Sequence, residues 1–84
     1  MSATKPLDTP RPLRESAHES ITHFLRQLEG ADCTDLHRFV LAQVEEPLLR
    51  AVMEETCGNQ SKAATMLGLN RGTLRTKLRQ YDLL

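Results

Sequence analysis

The chain has 84 residues, with 11 basic and 11 acidic side chains, so its net charge is zero when histidine is neutral. This length allows one domain, and so small a chain buries little surface, so a core shared with a second subunit would help its stability. No apolar run approaches a membrane span, and residues 1–12 lack the apolar segment of a secretory signal, which argues against both classes.

Residues 1–12 contain Pro6, Pro10 and Pro12 but almost no apolar side chain. A segment with so little to bury cannot offset the entropy lost on ordering. We therefore predict a flexible N-terminal arm over residues 1–12. No alternation typical of strands persists in the rest of the chain, which favours helices throughout.

The first helix is predicted over residues 14–28, because apolar side chains recur there at intervals of three and four residues. These side chains are Leu13, Ala17, Ile21, Phe24, Leu25 and Leu28. Gly30 follows as a stop signal, since glycine readily adopts the left-handed conformation that ends many helices.

A longer helix is predicted over residues 34–56, with Asp32, Thr34 and Asp35 as candidate N-caps. Pro47 either ends this helix early or kinks it, at a cost of about 3 kcal/mol in a helix interior. We favour a kinked but continuous helix, because the apolar spacing of four residues continues across the proline.

The apolar side chains of this second helix cover most of its circumference. They are Leu36, Phe39, Val40, Leu41, Val44, Leu48, Leu49, Val52 and Met53. A helix that is apolar nearly all round needs cover on several sides, and the first helix alone is too small to supply it. We therefore predict that residues 13–57 form a helical dimerisation core, shared with a symmetry-related copy.

Residues 58–84 predict two short helices joined by a tight turn, which is a helix-turn-helix. Gly58 ends the long helix, and Gly68 supplies the turn. Asn59 and Asn70 are placed to cap the two short helices, QSKAATML and RGTLRTKLRQY.

Charge is sorted along the chain in a way that this motif explains. Residues 58–84 hold five basic side chains and one acid, whereas residues 15–57 hold three basic side chains and nine acids. Arg71, Arg75 and Arg79 repeat every four residues, although like charges at this spacing destabilise a helix by roughly a few tenths of a kcal/mol per pair. Concentrated positive charge is what contact with DNA phosphates requires, and the acidic remainder would restrict docking to this end.

The caps and first turns of the two short helices hold the best-placed candidate contacts. Asn59 and Ser61 can meet phosphate oxygens together with the free N–H groups of their helix. Asn70 and Arg71 are placed to reach base edges in the major groove, where arginine commonly reads guanine O6 and N7. The sequence thus favours a DNA-binding helix-turn-helix.

Other classes of function have less support. A helical protein-interaction module without DNA readout is the alternative, although it would not need the basic last helix. A zinc site from His18, His23, Cys33 and His37 matches no strong ligand template, and we expect the histidines to face solvent. Cys33 and Cys57 indicate a reducing compartment, although the sequence is also compatible with a disulfide between them. No phosphate loop or nucleophile motif indicates an enzyme, and we expect neither cofactor nor metal.

The same stretches resemble a known family. GNQSKAATMLGLNRGTLRTKLRQY is similar to the C-terminal motif of the Fis family, the bacterial nucleoid and inversion-stimulation factors. RPLRES and VEEPLL are also similar to Fis, including the proline, so that the resemblance covers about residues 11–84. Related modules end enhancer-binding activators that carry an ATPase domain, and we expect no such domain in these 84 residues.

The resemblance implies an all-α fold with four helices per subunit, in an intertwined homodimer with a C-terminal helix-turn-helix. Its recognition helices would lie closer together than one turn of B-DNA, so binding would bend the DNA, with degenerate preferences that favour AT at the centre. The implied role is a nucleoid-associated transcriptional regulator in the bacterial cytoplasm. Its partners would be double-stranded DNA and a second copy, with RNA polymerase as a further candidate. The family's contact positions match Asn59, Ser61, Asn70, Arg71, Thr73, Arg75 and Lys77, and its base-contacting pair matches Asn70 and Arg71.

The sequence departs from the family pattern in three places. Thr76 stands where Fis often has a basic residue, and Cys57 stands where a basic residue can contact flanking DNA. Residues 1–12 also lack the paired apolar strands of the β-hairpin arm that inversion-stimulating members carry. We therefore expect the chain to bind and bend DNA without stimulating a DNA invertase.

Overall fold

A computed structural model describes residues 12–29 and 34–84 of the chain. Within these ranges it has four helices and no strand: α1 (Leu13–Leu28), α2 (Leu36–Glu55), α3 (Gln60–Leu67) and α4 (Arg71–Gln80). The predicted all-α class and its four helices are confirmed, with bounds that differ by no more than two residues. The predicted arm lies outside the described residues apart from Pro12, as do Gly30, Asp32 and Cys33.

The chain divides into two compact units, with the boundary between Thr34 and Asp35. The described part of the first unit is mainly α1, in which no residue is buried. This helix ends at Glu29, which adopts the left-handed conformation at φ 50° and donates its N–H to the carbonyl of Arg26. The stop therefore falls one residue before the predicted glycine.

The second unit begins with α2, which runs through Pro47 as one helix of 20 residues. Proline has no N–H to donate, so the carbonyl of Gln43 receives no hydrogen bond from position 47. The predicted continuity is confirmed. Asp35 is the N-cap residue, but its side chain makes no capping hydrogen bond.

The end of α2 turns the chain sharply toward α3. The Thr56 hydroxyl donates to the Val52 carbonyl at 2.9 Å, and Cys57 and Gly58 follow with φ of 54° and 82°. The Gly58 N–H then donates to the Met53 carbonyl at 2.9 Å. Two successive left-handed residues thus end α2 and start the helix-turn-helix.

One apolar cluster holds α2, α3 and α4 together. Its buried members are Leu49, Ala63, Ala64, Leu74 and Leu78, and the half-buried side chains around them are Val52, Met53, Leu67, Leu69, Tyr81 and Leu83. Ala63 and Ala64 are small, so α3 can approach its neighbours closely. The core of this unit therefore lies at the C-terminal half of α2, directly behind the last two helices.

Several apolar side chains earlier in α2 are about half exposed. Phe39, Leu41, Val44 and Leu48 are between 44% and 53% exposed. Since Leu41, Val44 and Leu48 recur at intervals of three and four residues, they share one face of the helix. None of the helices in the described ranges is long and apolar enough to cross a membrane.

Candidate nucleic-acid interface

Asparagine caps fix the start of both short helices. Asn59 Oδ1 accepts the Lys62 N–H at 3.0 Å, and Asn70 Oδ1 accepts the N–H groups of Gly72 and Thr73 at 2.7 and 3.4 Å. A side chain at position 72 would bring its Cβ to 3.1 Å from Asn70 Oδ1, so glycine leaves room for this cap. Both predicted caps are confirmed.

The turn between α3 and α4 is set by Gly68, whose φ of 74° is left-handed. Its N–H donates to the Thr65 carbonyl at 3.2 Å, and the Leu69 N–H donates to the Ala64 carbonyl at 2.9 Å. These two bonds satisfy carbonyls at the end of α3. Leu74 and Leu78 are fully buried, so α4 is anchored by one side and presents the other to solvent.

The predicted contact residues all lie on this helix pair or its caps. Six of them are exposed: Asn59, Ser61, Asn70, Arg71, Thr73 and Arg75. The Arg75 guanidinium donates to Gln60 Oε1 at 3.3 Å, which brings one flank of α4 to the start of α3. Lys77 lies on the opposite flank of α4, facing α2.

Lys77 is paired with an acid on α2. Its Nζ lies 3.0 Å from Glu45 Oε2, and the Tyr81 hydroxyl donates to Glu45 Oε1 at 2.7 Å. The hydrogen bond from Tyr81, followed by that from Lys77, lowers the pKa of Glu45. Accepting that bond, Glu45 also raises the pKa of Tyr81. One carboxylate of α2 thus contacts both Lys77 in α4 and Tyr81, the residue that follows α4.

Some residues that contact or adjoin the predicted site residues were not predicted from the sequence. Glu45 and Gln60 are two of them, and both contact predicted site residues from other helices. Lys62, which lies exposed in the first turn of α3, is a third. The sequence did contain a signal for Lys62. A cation in the first turn of a helix is unfavourable because it opposes the helix dipole, so its presence there indicates a bound anion. Neither α3 nor α4 has an acid in its first turn.

Both helix starts therefore suit an anion. The asparagine caps bind the N–H groups of Lys62, Gly72 and Thr73. The remaining first-turn N–H groups, those of Gln60, Ser61 and Arg71, donate to no such cap. Free N–H groups beside basic side chains, without a local carboxylate, bind phosphate groups readily. The described residues include no group of three or more His, Cys, Asp or Glu side chains that could hold a metal ion. Cys57 is an exposed free thiol, and the predicted exposure of His18, His23 and His37 is confirmed.

An Asn-capped helix pair with a left-handed glycine turn, anchored on a longer helix, defines a helix-turn-helix protein. The family described as "Bacterial regulatory protein, Fis family" matches residues 40–81. Two relatives called "DNA-binding protein Fis", from Histophilus somni and Vibrio cholerae, are each 52% identical over 75 residues, which is 89% of this chain and 76% of theirs. Another of that name, from Glaesserella parasuis, is 52% identical over 73 residues, 87% of this chain and 74% of its own. The chain belongs to the Fis family.

Proposed function

We propose that this chain is a homodimeric protein that binds and bends double-stranded DNA and acts as a nucleoid-associated transcriptional regulator. The observation that carries the proposal is the arginine row of α4. Arg71, Arg75 and Arg79 are exposed, and none of them forms an ion pair with another described residue. A row of unneutralised like charges is unfavourable within the protein alone, and phosphates would compensate it.

Base reading is assigned to Asn70 and Arg71 at the start of α4. Asn70 Oδ1 already accepts two backbone N–H groups, so only its Nδ2 group is left to donate. Bidentate reading of adenine needs both a donor and an acceptor. Asn70 is therefore restricted to donating, to a base acceptor or a phosphate, while Arg71 can read guanine. This restriction supports a degenerate sequence preference.

The remaining candidates are assigned to the DNA backbone. Asn59 and Ser61 flank the exposed start of α3, and Thr73, Arg75 and Lys77 lie on the two flanks of α4. Contacts of this kind position a protein on the duplex without reading sequence. The relatives' name, "DNA-binding protein Fis", supports the same assignment for this chain.

Dimerisation is assigned to residues 13–57, and DNA binding to residues 58–84. The exposed apolar face of α2, with Leu41, Val44 and Leu48, supports a second copy as its cover, because single chains rarely leave such a stripe in water. On this proposal the protein acts in the bacterial cytoplasm, at the nucleoid, and RNA polymerase is a candidate partner at promoters.

A gel-shift titration tests the proposal against the alternative of an interaction module. Random and AT-rich duplexes are titrated at several salt concentrations, and bending is read from circularly permuted fragments. We expect binding that weakens steeply with salt, a modest preference for AT-rich centres, and mobility that depends on the position of the site. Absence of salt-dependent binding to either duplex would refute the proposal and favour the interaction module.

A further inference from the structure

Glu45 occupies an unusual position for an acid in this protein. It lies on α2, yet its carboxylate lies 3.0 Å from Lys77 Nζ in α4 and accepts a hydrogen bond at 2.7 Å from the hydroxyl of Tyr81, the residue that follows α4. The side chains of Lys77 and Glu45 are 30% and 31% exposed, so the pair is accessible to solvent ions.

The two contacts have different consequences for the carboxylate. Tyr81 is neutral at physiological pH, and its hydrogen bond holds Glu45 in place without cancelling the negative charge. Lys77 neutralises that charge by forming an ion pair with it. The positive charge of Lys77 is thereby offset within the protein and is less available to a DNA phosphate. The hydrogen bonds from Tyr81 and Lys77 lower the pKa of Glu45, so the carboxylate is ionised at neutral pH.

The neighbouring acid behaves differently. Glu46 Oε1 lies 3.4 Å from Arg50 Nη2, within α2 itself, and neither side chain is on α4. Among the described residues, Glu45 is thus the acid that neutralises a basic side chain of the helix-turn-helix.

We propose that Glu45 is a positioning residue that competes with DNA phosphate for Lys77. In the free protein it holds Lys77 against α2, and a phosphate must displace it before Lys77 can contact DNA. Because Tyr81 keeps the carboxylate within reach of Lys77, each phosphate that Lys77 contacts must first break the Glu45–Lys77 ion pair, and this cost weakens binding. This inference rests on the proposed DNA binding and adds to it a built-in limit on affinity.

Glu45→Gln separates the two roles, because glutamine keeps an oxygen for the Tyr81 hydroxyl and removes the charge. Loss of an exposed ion pair of this kind changes an equilibrium constant by up to about fivefold. We therefore expect the dissociation constant for DNA to fall by about two- to fivefold per subunit. Lys77 would then contribute fully to counterion release, and the salt slope should steepen by up to about 0.9 per subunit.

Glu46→Gln is the matched control, since it makes the same change in net charge at the adjacent residue. Both variants are measured beside the unsubstituted chain by fluorescence anisotropy on one random duplex at four salt concentrations. A second pair, Lys77→Ala and Glu45→Gln/Lys77→Ala, closes a double-mutant cycle. We expect the effect of Glu45→Gln to disappear when Lys77 is absent.

The outcomes are distinct. A steeper slope for Glu45→Gln than for Glu46→Gln, lost in the Lys77→Ala background, supports the competition. Equal slopes for the two glutamine variants, weaker binding by Glu45→Gln, or an effect that persists without Lys77 would overturn it while the unsubstituted chain still binds DNA. If the unsubstituted chain shows no salt-dependent binding, the proposed function fails and this inference fails with it.

Discussion

Asn70 and Arg71 are adjacent in sequence but differ in what they can still offer a ligand. The amide oxygen of Asn70 is committed to the first N–H groups of α4, whereas the Arg71 guanidinium is exposed and makes no ion pair with the described residues. Sequence preference on this helix should therefore depend mainly on Arg71. Lys77, which lies farther along α4 and faces α2, is better suited to the DNA backbone.

We predict that Arg71→Ala and Lys77→Ala weaken binding in different ways. Loss of a bidentate guanine contact should cost about 1–3 kcal/mol at a preferred site and relax the preference at one base. Lys77→Ala should weaken all duplexes similarly and lower the salt slope by at most about one unit per subunit. Competition gel shifts against a panel of duplexes measure both. Uniform losses for both variants would show that Arg71 does not read bases.

The junction between α3 and α4 depends on one backbone conformation. Gly68 has φ of 74°, and a Cβ at this position would meet nothing within 4 Å. Substitution there tests backbone conformation alone, because no neighbouring atom is displaced.

We predict that Gly68→Ala destabilises the fold by about 1 kcal/mol, since an L-residue in the left-handed region is strained. Gly68→Asn is the control, because asparagine tolerates this conformation and should lose less. Urea denaturation followed by circular dichroism measures the free energy of unfolding. Equal losses for the two variants would mean that the strain at this turn does not set its stability.

The link from α2 to α4 predicts a pH dependence. In the folded protein, hydrogen bonds from Tyr81 and Lys77 lower the pKa of Glu45. The ionised Glu45 side chain therefore stabilises the fold fully above its unfolded pKa of about 4.3, and this stabilisation is lost as pH falls through its pKa in the folded protein. The free energy of unfolding of Glu45→Gln should therefore approach that of the unsubstituted chain between about pH 6 and about pH 3. A constant difference across that window would contradict the assignment.

The exposed apolar face of α2 bears on whether the protein assembles as a dimer. Leu41, Val44 and Leu48 are each about half exposed, and a symmetry-related copy would remove this apolar surface from water. Stability would then depend on protein concentration, because folding and association are coupled.

We predict that the melting temperature rises with protein concentration and that Leu48→Glu abolishes the dimer, because the charge would be buried without a partner. Met66→Glu is the control: Met66 is 57% exposed, but it lies on α3. Analytical ultracentrifugation of all three proteins reports the oligomeric state. A folded monomer at micromolar concentration in the unsubstituted chain would contradict the proposed homodimer.

The helix-turn-helix could be predicted from the sequence because its signals act over short distances. The caps of Asn59 and Asn70 reach three residues or fewer along the chain, and the Gly68 turn closes within five. Apolar spacing, which also depends on near neighbours, correctly predicted that α2 continues through Pro47. The arginine row follows from the same local order, whereas the full set of candidate contacts came from the resemblance to the Fis family.

Contacts between distant parts of the chain were decided only by the tertiary structure. Glu45 precedes Tyr81 by 36 residues, and the Gln60–Arg75 contact spans 15, so neither has a signature in sequence spacing. The sequence showed an acidic segment followed by a basic one. It did not show that Glu45 of the acidic segment would form an ion pair with Lys77 of the basic segment. That pairing depends on how α4 packs on α2 through Leu49, Leu74 and Leu78, because burial of these side chains sets which flank of the basic helix faces the acid.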